Sequence, residues 1–219
     1  MADSFTWLPR LDERLTAIAS EVPPCKLAAD IGTDHGKLAC WLLASERADR
    51  MVVSDISKQS RDKARDLLIQ YDVLDRAEIR GENGLYAIKD QKTDVIIIAG
   101  MGGGLISEIL DQPVDLNRAR LILSAQTELP LVRDALTKRR YSIIKELLVK
   151  ATGRYYRVIV AEPGNQELSA FEREIGFNLK GTPSAKLKDY FLWQLKISQN
   201  WQGDRGDNYR KLLKEALDE

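Results

Sequence analysis

Between residues 26 and 139 short apolar runs alternate with amphipathic stretches, and few architectures accept that alternation. Residues 26–31 read as a buried strand ending at a glycine turn, 38–46 as a helix and 51–55 as a second strand. Residues 57–71 read as a charged amphipathic helix capped by Ser57, and 77–80 as a short third strand. Residues 94–99 form the clearest central strand, because Val95, Ile96, Ile97 and Ile98 suit burial on both faces. A helix follows over 102–110, a fifth strand over 121–123, and a helix over 129–139 with Pro130 tolerated in its first turn. This order predicts an α/β fold: a Rossmann-like, doubly wound parallel sheet with right-handed crossovers.

The pattern changes beyond residue 140. Residues 141–149 and 155–161 read as two strands joined at Thr152-Gly153, which gives the sheet an antiparallel edge strand. Ahead of the first strand, Leu11, Leu15, Ile18 and Ala19 make an apolar stripe on a leading helix that Pro23-Pro24 ends. After Pro163-Gly164 the readings are helical: 168–179, 184–201 and 208–217, split by Gly181-Thr182-Pro183 and by residues 203–206. Leu187, Phe191 and Leu195 share one face there, as do Leu213 and Leu217. The expected division is a sheet domain over residues 1–164 and a small helical C-terminal domain over 165–219.

Lys plus Arg balance Asp plus Glu at 33 each, so total charge does not announce a nucleic-acid partner. Its distribution says more. From Arg118 to Arg157 ten Lys or Arg face three acids, whereas before Arg118 the acids lead twenty to fourteen. Such a segment is either a footprint for phosphates or a set of solvated helix faces and strand ends. Cys25 and Cys40 have neither metal-like spacing nor a disulfide framework, which fits a reducing compartment. Residues 1–15 lack an apolar signal core and the longest apolar run is far too short to span a bilayer, so a cytoplasmic protein without a membrane partner is expected. His35 is the sole histidine, so no metal cluster is expected, and no serine sits in a nucleophile elbow. Trp7, Trp41, Trp193 and Trp201 read as core or helix-packing residues rather than base-stacking platforms.

Ligands of doubly wound sheets bind beyond the carboxyl ends of the strands. The first such end reads Asp30-Ile31-Gly32-Thr33-Asp34-His35-Gly36. Its glycine spacing is G-x-x-x-G, not the dinucleotide G-x-G-x-x-G, and two carboxylates flank it. Carboxylates repel a pyrophosphate and suit a ligand with positive groups, such as the ammonium and sulfonium of S-adenosylmethionine (SAM). The competing reading is a turn in which Asp34 caps the next helix. Asp55, followed by Ile56, ends the second strand twenty-three positions after Gly32, where a carboxylate reaches ribose hydroxyls; it could instead cap a helix alongside Ser57. In the third loop Glu82 or Asn83, before Gly84, could meet an adenine edge, although Asn-Gly is also a common turn pair. The fourth end, Ala99-Gly100-Met101-Gly102-Gly103-Gly104, packs four glycines into five positions, more than a turn needs, and implies close approach to the backbone.

With these motifs in order, the sequence resembles the bacterial tRNA adenine-N1 methyltransferases that act at adenine 22, the TrmK family. The matching stretches are Ala29-Asp30-Ile31-Gly32-Thr33-Asp34-His35 and Ile98-Ala99-Gly100-Met101-Gly102-Gly103, with weaker matches at Leu121-Ile122-Leu123 and Tyr155-Tyr156-Arg157-Val158-Ile159. The resemblance runs from about Leu8 to Gly164. It implies a SAM-binding sheet domain, a coiled-coil-like helical C-terminal domain, a tRNA substrate and adenine N1 as the methyl acceptor. Two stretches depart from the family pattern. Glu82-Asn83-Gly84 stands where Gly-Asp-Gly is usual, and Ser124-Ala125-Gln126 where a Gln-Pro-Asn-like stretch is usual.

Together the readings assign catalysis to Asp30, Gly100, Met101 and Gln126. They assign cofactor contacts to Asp30, Gly32, Thr33, Asp34, His35, Gly36, Asp55, Ile56, Glu82, Asn83, Gly84, Gly100, Met101 and Gly102. The segment from Arg118 to Arg157 would hold RNA phosphates, and a monomer is expected. A SAM methyltransferase for another RNA, DNA, protein or small molecule remains open, as does a catalytically silent SAM- or RNA-binding module. A nicotinamide-dependent oxidoreductase is disfavoured by the glycine spacing.

Overall fold

The computed structural model describes residues 8–177 and 184–218. Strands β1 (Cys25–Ile31), β2 (Ala48–Ser54), β3 (Ala77–Arg80), β4 (Val95–Met101) and β5 (Arg120–Ala125) run parallel. They are followed by β6 (Tyr141–Ala151) and β7 (Arg154–Pro163), which pair as a hairpin, and β7 lies antiparallel to β5. The sheet order is β3-β2-β1-β4-β5-β7-β6. Strand order therefore reverses between β1 and β4, the switch point where such sheets open a crevice.

Strand periodicity explains the two faces of the core. Ala29 and Ile31 of β1 and Ile96 and Ile98 of β4 pack with Ile106, Ile109 and Leu110 of α4 (Gly103–Leu110) and Val132 and Leu136 of α5 (Leu129–Lys138). The intervening Ala28, Val95 and Ile97 face the other layer: Ile18 of α1 (Glu13–Ser20), Leu42 and Leu43 of α2 (Lys37–Ala44), and Leu68 of α3 (Lys58–Gln70). Full burial of each such Val, Leu or Ile contributes about 1.5–3 kcal/mol. Asp12 caps α1 and Ser57 caps α3 through their side-chain oxygens.

Several boundaries differ from the sequence reading. β2 begins at Ala48, three residues early, because Ala48 and Arg50 pair with Cys25 and Leu27, and the exposed Asp49 and Arg50 hide the strand pattern. The helix expected over 168–179 is only α6 (Ala170–Glu174); its last two expected residues lie outside the described residues, as do Gly181-Thr182-Pro183. Then α7 (Ser184–Ser198) and α8 (Asp204–Asp218) pack on one another. Of the two glycines expected to separate them, only Gly203 breaks the chain, with φ +82°. Gly206 is helical, and a β-carbon there would stand 2.6 Å from the Trp201 carbonyl oxygen.

A buried charge cluster fixes the start of the appendage. Arg133 Nη2 and Arg157 Nη2 lie 2.6 and 2.7 Å from the same Glu146 oxygen, Oε1, with all three side chains almost wholly enclosed. The other Glu146 oxygen accepts the Phe177 N–H at 2.7 Å. Arg133 also donates to the Arg173 carbonyl and Arg157 to the Ile175 carbonyl. The chain turns at Gly176, φ +148°, where a β-carbon would stand 2.1 Å from Arg157 Nη2. That requirement ends the helical path which apolar spacing alone would extend. Beyond it Ile175, Tyr190, Phe191, Tyr209 and Leu213 form a third apolar cluster with Leu148 of β6.

Candidate active site

The acidic first loop is shaped by backbone hydrogen bonds. Gly32 N–H and Thr33 N–H both donate to the Ser54 carbonyl, at 2.7 and 2.9 Å, which bends the chain away from β1 at Gly32 (φ +76°). Asp30 is 5% exposed, so its carboxylate is held almost out of water. Thr33 Oγ1 donates to it at 2.6 Å. Burial pushes the Asp30 carboxyl up to about 6 from the ordinary 3.8, Asp55 adds to the rise, and the Thr33 hydroxyl and Arg14 oppose it. The result is a nearly dry carboxyl group at the switch point, with Thr33 as its hydrogen-bond donor.

Asp34 does not cap α2. That position falls to Gly36, φ +68°, where a β-carbon would press 2.8 Å from Ala64 of α3. Asp34 itself takes φ +52°, rare for a residue with a side chain, and its carboxylate meets His35 Nδ1 at 2.5 Å on the surface. Asp55 ties two loops together: Oδ2 accepts the Asp34 N–H at 3.2 Å and Oδ1 the Ser57 N–H at 2.8 Å, while Ser57 does the capping. Beside it Ile56 is 72% exposed, an apolar surface at a polar strand end. Glu82 and Asn83 are exposed, and among the described residues neither side chain has a hydrogen-bond partner. Gly84 is buried instead, φ +60°, with the Gln112 amide 2.7 Å from where its β-carbon would stand. At Gly36 and Gly84 the space a β-carbon would need is taken by Ala64 and Gln112, so the side each turns to a ligand is its backbone.

The glycine cluster after β4 divides likewise. Gly100, φ +85°, is exposed, and a β-carbon on Gly32 would collide with the Met101 methyl at 1.9 Å, so Met101 lies across the first loop. At Gly103 the close approach is made by the chain's own β5–α5 loop: a β-carbon would stand 2.4 Å from the Glu128 carbonyl oxygen. Gly102 faces Thr127 Oγ1 and Gly104 the Glu128 carboxylate, both at 3.3 Å. Gln126 N–H donates to the Met101 carbonyl at 2.9 Å, which places Gln126 next to Met101. Ser124 Oγ, at the end of β5, is buried without a partner among the described residues.

Two neighbours of this site escaped the sequence reading. Arg14 of α1 points at Gly100, with Nη1 3.4 Å from where a β-carbon would stand, and its guanidinium lies 5.5 Å from the ring centre of Tyr156 on β7. Only α1 packing on β6 and β7 brings Arg14 here, and no local motif marks it.

The basic segment divides. Arg133 and Arg157 are internal, Arg120 and Lys145 pair with Glu162 and Glu21, Lys138 pairs with Asp111, and Arg139 donates to the Gln112 and Val114 carbonyls. Arg118 and Arg140 sit where β5 and β6 begin, at the end of the sheet away from the site. Only Lys150 and Arg154, flanking the β6–β7 turn, are exposed at the end where the site lies. Of the ten cations two are thus internal, four are tied to neighbouring acids or carbonyls, and Arg118, Arg140, Lys150 and Arg154 stand exposed at opposite ends of the sheet. Among the described residues no set of three His, Cys, Asp or Glu could hold a metal ion, and no helix is long and apolar enough to cross a membrane.

Known proteins share this arrangement. Residues 11–159 match the family model described as a methyltransferase domain. The chain is 32% identical over 160 residues to the tRNA (adenine(22)-N(1))-methyltransferase of Bacillus subtilis, covering 72% of this chain and 67% of that one. The crystal structure of the B. subtilis M1A22 tRNA methyltransferase TrmK superposes with TM-score 0.79 at 26% identity, covering 96% of this chain and 97% of that one. A Streptococcus pneumoniae putative tRNA (m1A22) methyltransferase in complex with S-adenosyl-L-methionine superposes with TM-score 0.84 at 24% identity, covering 95% and 100%. The helical appendage therefore falls within the shared fold. By this family-model match and this relative, the chain belongs to the tRNA (adenine(22)-N(1))-methyltransferase family.

Proposed function

We propose that this chain methylates N1 of an adenine in tRNA, adenine 22, using SAM, with residues 1–164 as the catalytic unit and 165–219 as a substrate-holding appendage. The observation that carries the reading is the buried Asp30 carboxylate beside the left-handed turn at Gly32. A site meant for a pyrophosphate would place N–H groups there, not a buried carboxylate. Asp30, Thr33, Asp34 and His35 would hold the charged amino-acid end of the cofactor, Asp55 the ribose, and Ile56 with Glu82 and Asn83 the adenine. Gly32, Gly100 and Gly102 would offer backbone groups beside them, and Met101, whose methyl lies over Gly32, would separate cofactor from acceptor. When bound, SAM supplies a methyl group on a sulfonium and departs as the neutral thioether.

The acceptor needs no general base, because adenine N1 carries a free lone pair. That lone pair forms the new N–C bond while the S–C pair goes to sulfur. Positive charge is moved across the site, not created. The work of the protein is therefore alignment, with N1 held about 3–3.5 Å from the methyl carbon. Gly100, Met101 and Gln126 offer carbonyl and amide groups to the base edge, and Arg14 with Tyr156 walls the other side. N1 is hidden in a base pair, so the adenine must leave its stack. Lys150 and Arg154 would hold the phosphates beside it. We place this activity in the cytoplasm, with the monomer as the active unit. Incubation with unmodified tRNA and SAM, followed by nucleoside mass spectrometry, tests the reading. It predicts 1-methyladenosine; a different methylated nucleoside, or none, would overturn it.

A further inference from the structure

A cavity of about 400 Å³ opens between the β5–α5 loop, the β6–β7 hairpin and helices α7 and α8, a size typical of small-ligand sites. Asp30, Asp55, Asn83 and Gly100 do not line it. Its walls are Tyr155, Tyr190, Trp193, Trp201 and Tyr209, and one lip is the Gln126-Thr127 stretch beside Met101. A buried relay fixes the floor. Tyr209 donates its hydroxyl proton to Gln194 Oε1 at 2.9 Å, and Gln194 Nε2 donates to the Tyr190 oxygen at 3.1 Å. Arg157 Nη1 donates to that same oxygen at 3.2 Å, so the floor is tied to the buried charge cluster. At the rim Trp201 is 46% exposed, its ring 5.1 Å from that of Tyr209.

The chemistry selects the occupant. Among the charged lining residues Arg157 is held by Glu146 and Glu174 by Arg173, which leaves Arg205 against Glu128, so a neutral ligand is favoured over a free phosphate. The walls offer aromatic faces for stacking, and Gln126 and Gln202 offer amides for a polar ring edge. Lys150 and Arg154 stand at the adjoining hairpin turn, where an anionic backbone would pass. A flat neutral ring on a charged backbone is a nucleobase in RNA. Position then narrows which one. Tyr155 and Tyr156 are consecutive on β7 and point to opposite faces. Tyr155 lines the cavity, while Tyr156 stacks with Arg14 beside Gly100.

We propose that the cavity receives an unpaired base flanking the methylated adenine, so that two splayed bases straddle β7. The inference rests on the tRNA reading above and adds a second base site to it. The sequence reading of Trp193 and Trp201 as packing residues alone changes accordingly.

The test compares Trp201→Ala and Trp201→Phe with the wild type, measuring tRNA affinity by fluorescence polarisation and S-adenosylhomocysteine affinity by calorimetry. Removing one base–aromatic stack weakens RNA binding roughly 5- to 150-fold. We expect that loss for Trp201→Ala, most of the affinity restored in Trp201→Phe, and S-adenosylhomocysteine binding unchanged in both. A tRNA made abasic on one side of the target adenine should lose a similar factor with the wild type and nothing further with Trp201→Ala. If Trp201→Ala lowers the melting temperature yet binds tRNA like the wild type, the cavity only packs helices and the proposal fails. It fails also if both flanking abasic tRNAs bind at full strength. A wild type that methylates tRNA normally in those cases leaves the enzymatic reading standing; one that neither binds nor methylates tRNA overturns both.

Discussion

Replacing Asp30 with Asn should stabilise the free protein while weakening cofactor binding. Asp30 is 5% exposed, and burial raises its carboxyl from 3.8 to about 6. The sign follows from proton uptake. Between those values the folded state holds a proton that the unfolded chain has released, so stability falls as pH rises through this window. The cost is absent well below 3.8, about half developed at pH 5, and complete above about pH 7. A shift of about two units corresponds to about 3 kcal/mol. For a chain of this size that is on the order of 6–12 °C in melting temperature. Asn keeps the shape and still accepts from Thr33, but carries no charge to desolvate. Differential scanning calorimetry of Asp30→Asn and wild type should show a melting-temperature gap in favour of the variant that widens from pH 5 to pH 8. S-adenosylhomocysteine titrations at pH 8 should show the variant binding at least tenfold more weakly. In the wild type, that affinity should fall as pH drops below about 6. A variant less stable than wild type at pH 8, or a gap that does not change with pH, would refute the argument that Asp30 is a desolvated carboxylate suited to a cation.

Other expectations follow from the packing. Glu146→Gln leaves Arg133 and Arg157 buried without their shared anion and should cost about 3–5 kcal/mol in urea denaturation; a loss under about 1 kcal/mol would contradict the cluster's role. Gly103→Ala drives a β-carbon against the Glu128 carbonyl, so it should cost about 1–3 kcal/mol in thermal denaturation and, by moving the loop that carries Gln126, reduce methyl transfer at least tenfold. Lys150→Ala with Arg154→Ala should lower the slope of log tRNA affinity against log salt by about 1–2, whereas Arg118→Ala with Arg140→Ala should leave it unchanged. The opposite ranking would move the RNA to the other end of the sheet.

Local chemistry made much of this molecule legible. The run from Val95 to Ile98 announces a strand buried on both faces, and both clusters use it. Ser57 announces a helix start and caps α3. The acidic turn after β1 was readable because its residues are contiguous. What could not be read depends on tertiary contact. Arg14 reaches the site only because α1 lies on the β6–β7 hairpin, a contact between segments more than a hundred residues apart. Arg133 and Arg157 look like surface charge until Glu146 encloses them. At Gly36, Gly84 and Gly103 the sequence does not reveal that Ala64, Gln112 and Glu128 stand where a β-carbon would be. A glycine's spacing reports that something comes close, not whether that something is the protein itself.

The most direct check on the central claim counts labelled methyl groups transferred to two tRNA transcripts differing only at position 22. With adenine there, the account predicts close to one methyl per tRNA, carried as 1-methyladenosine. With guanine there, it predicts none. Equal labelling of the two transcripts would contradict it.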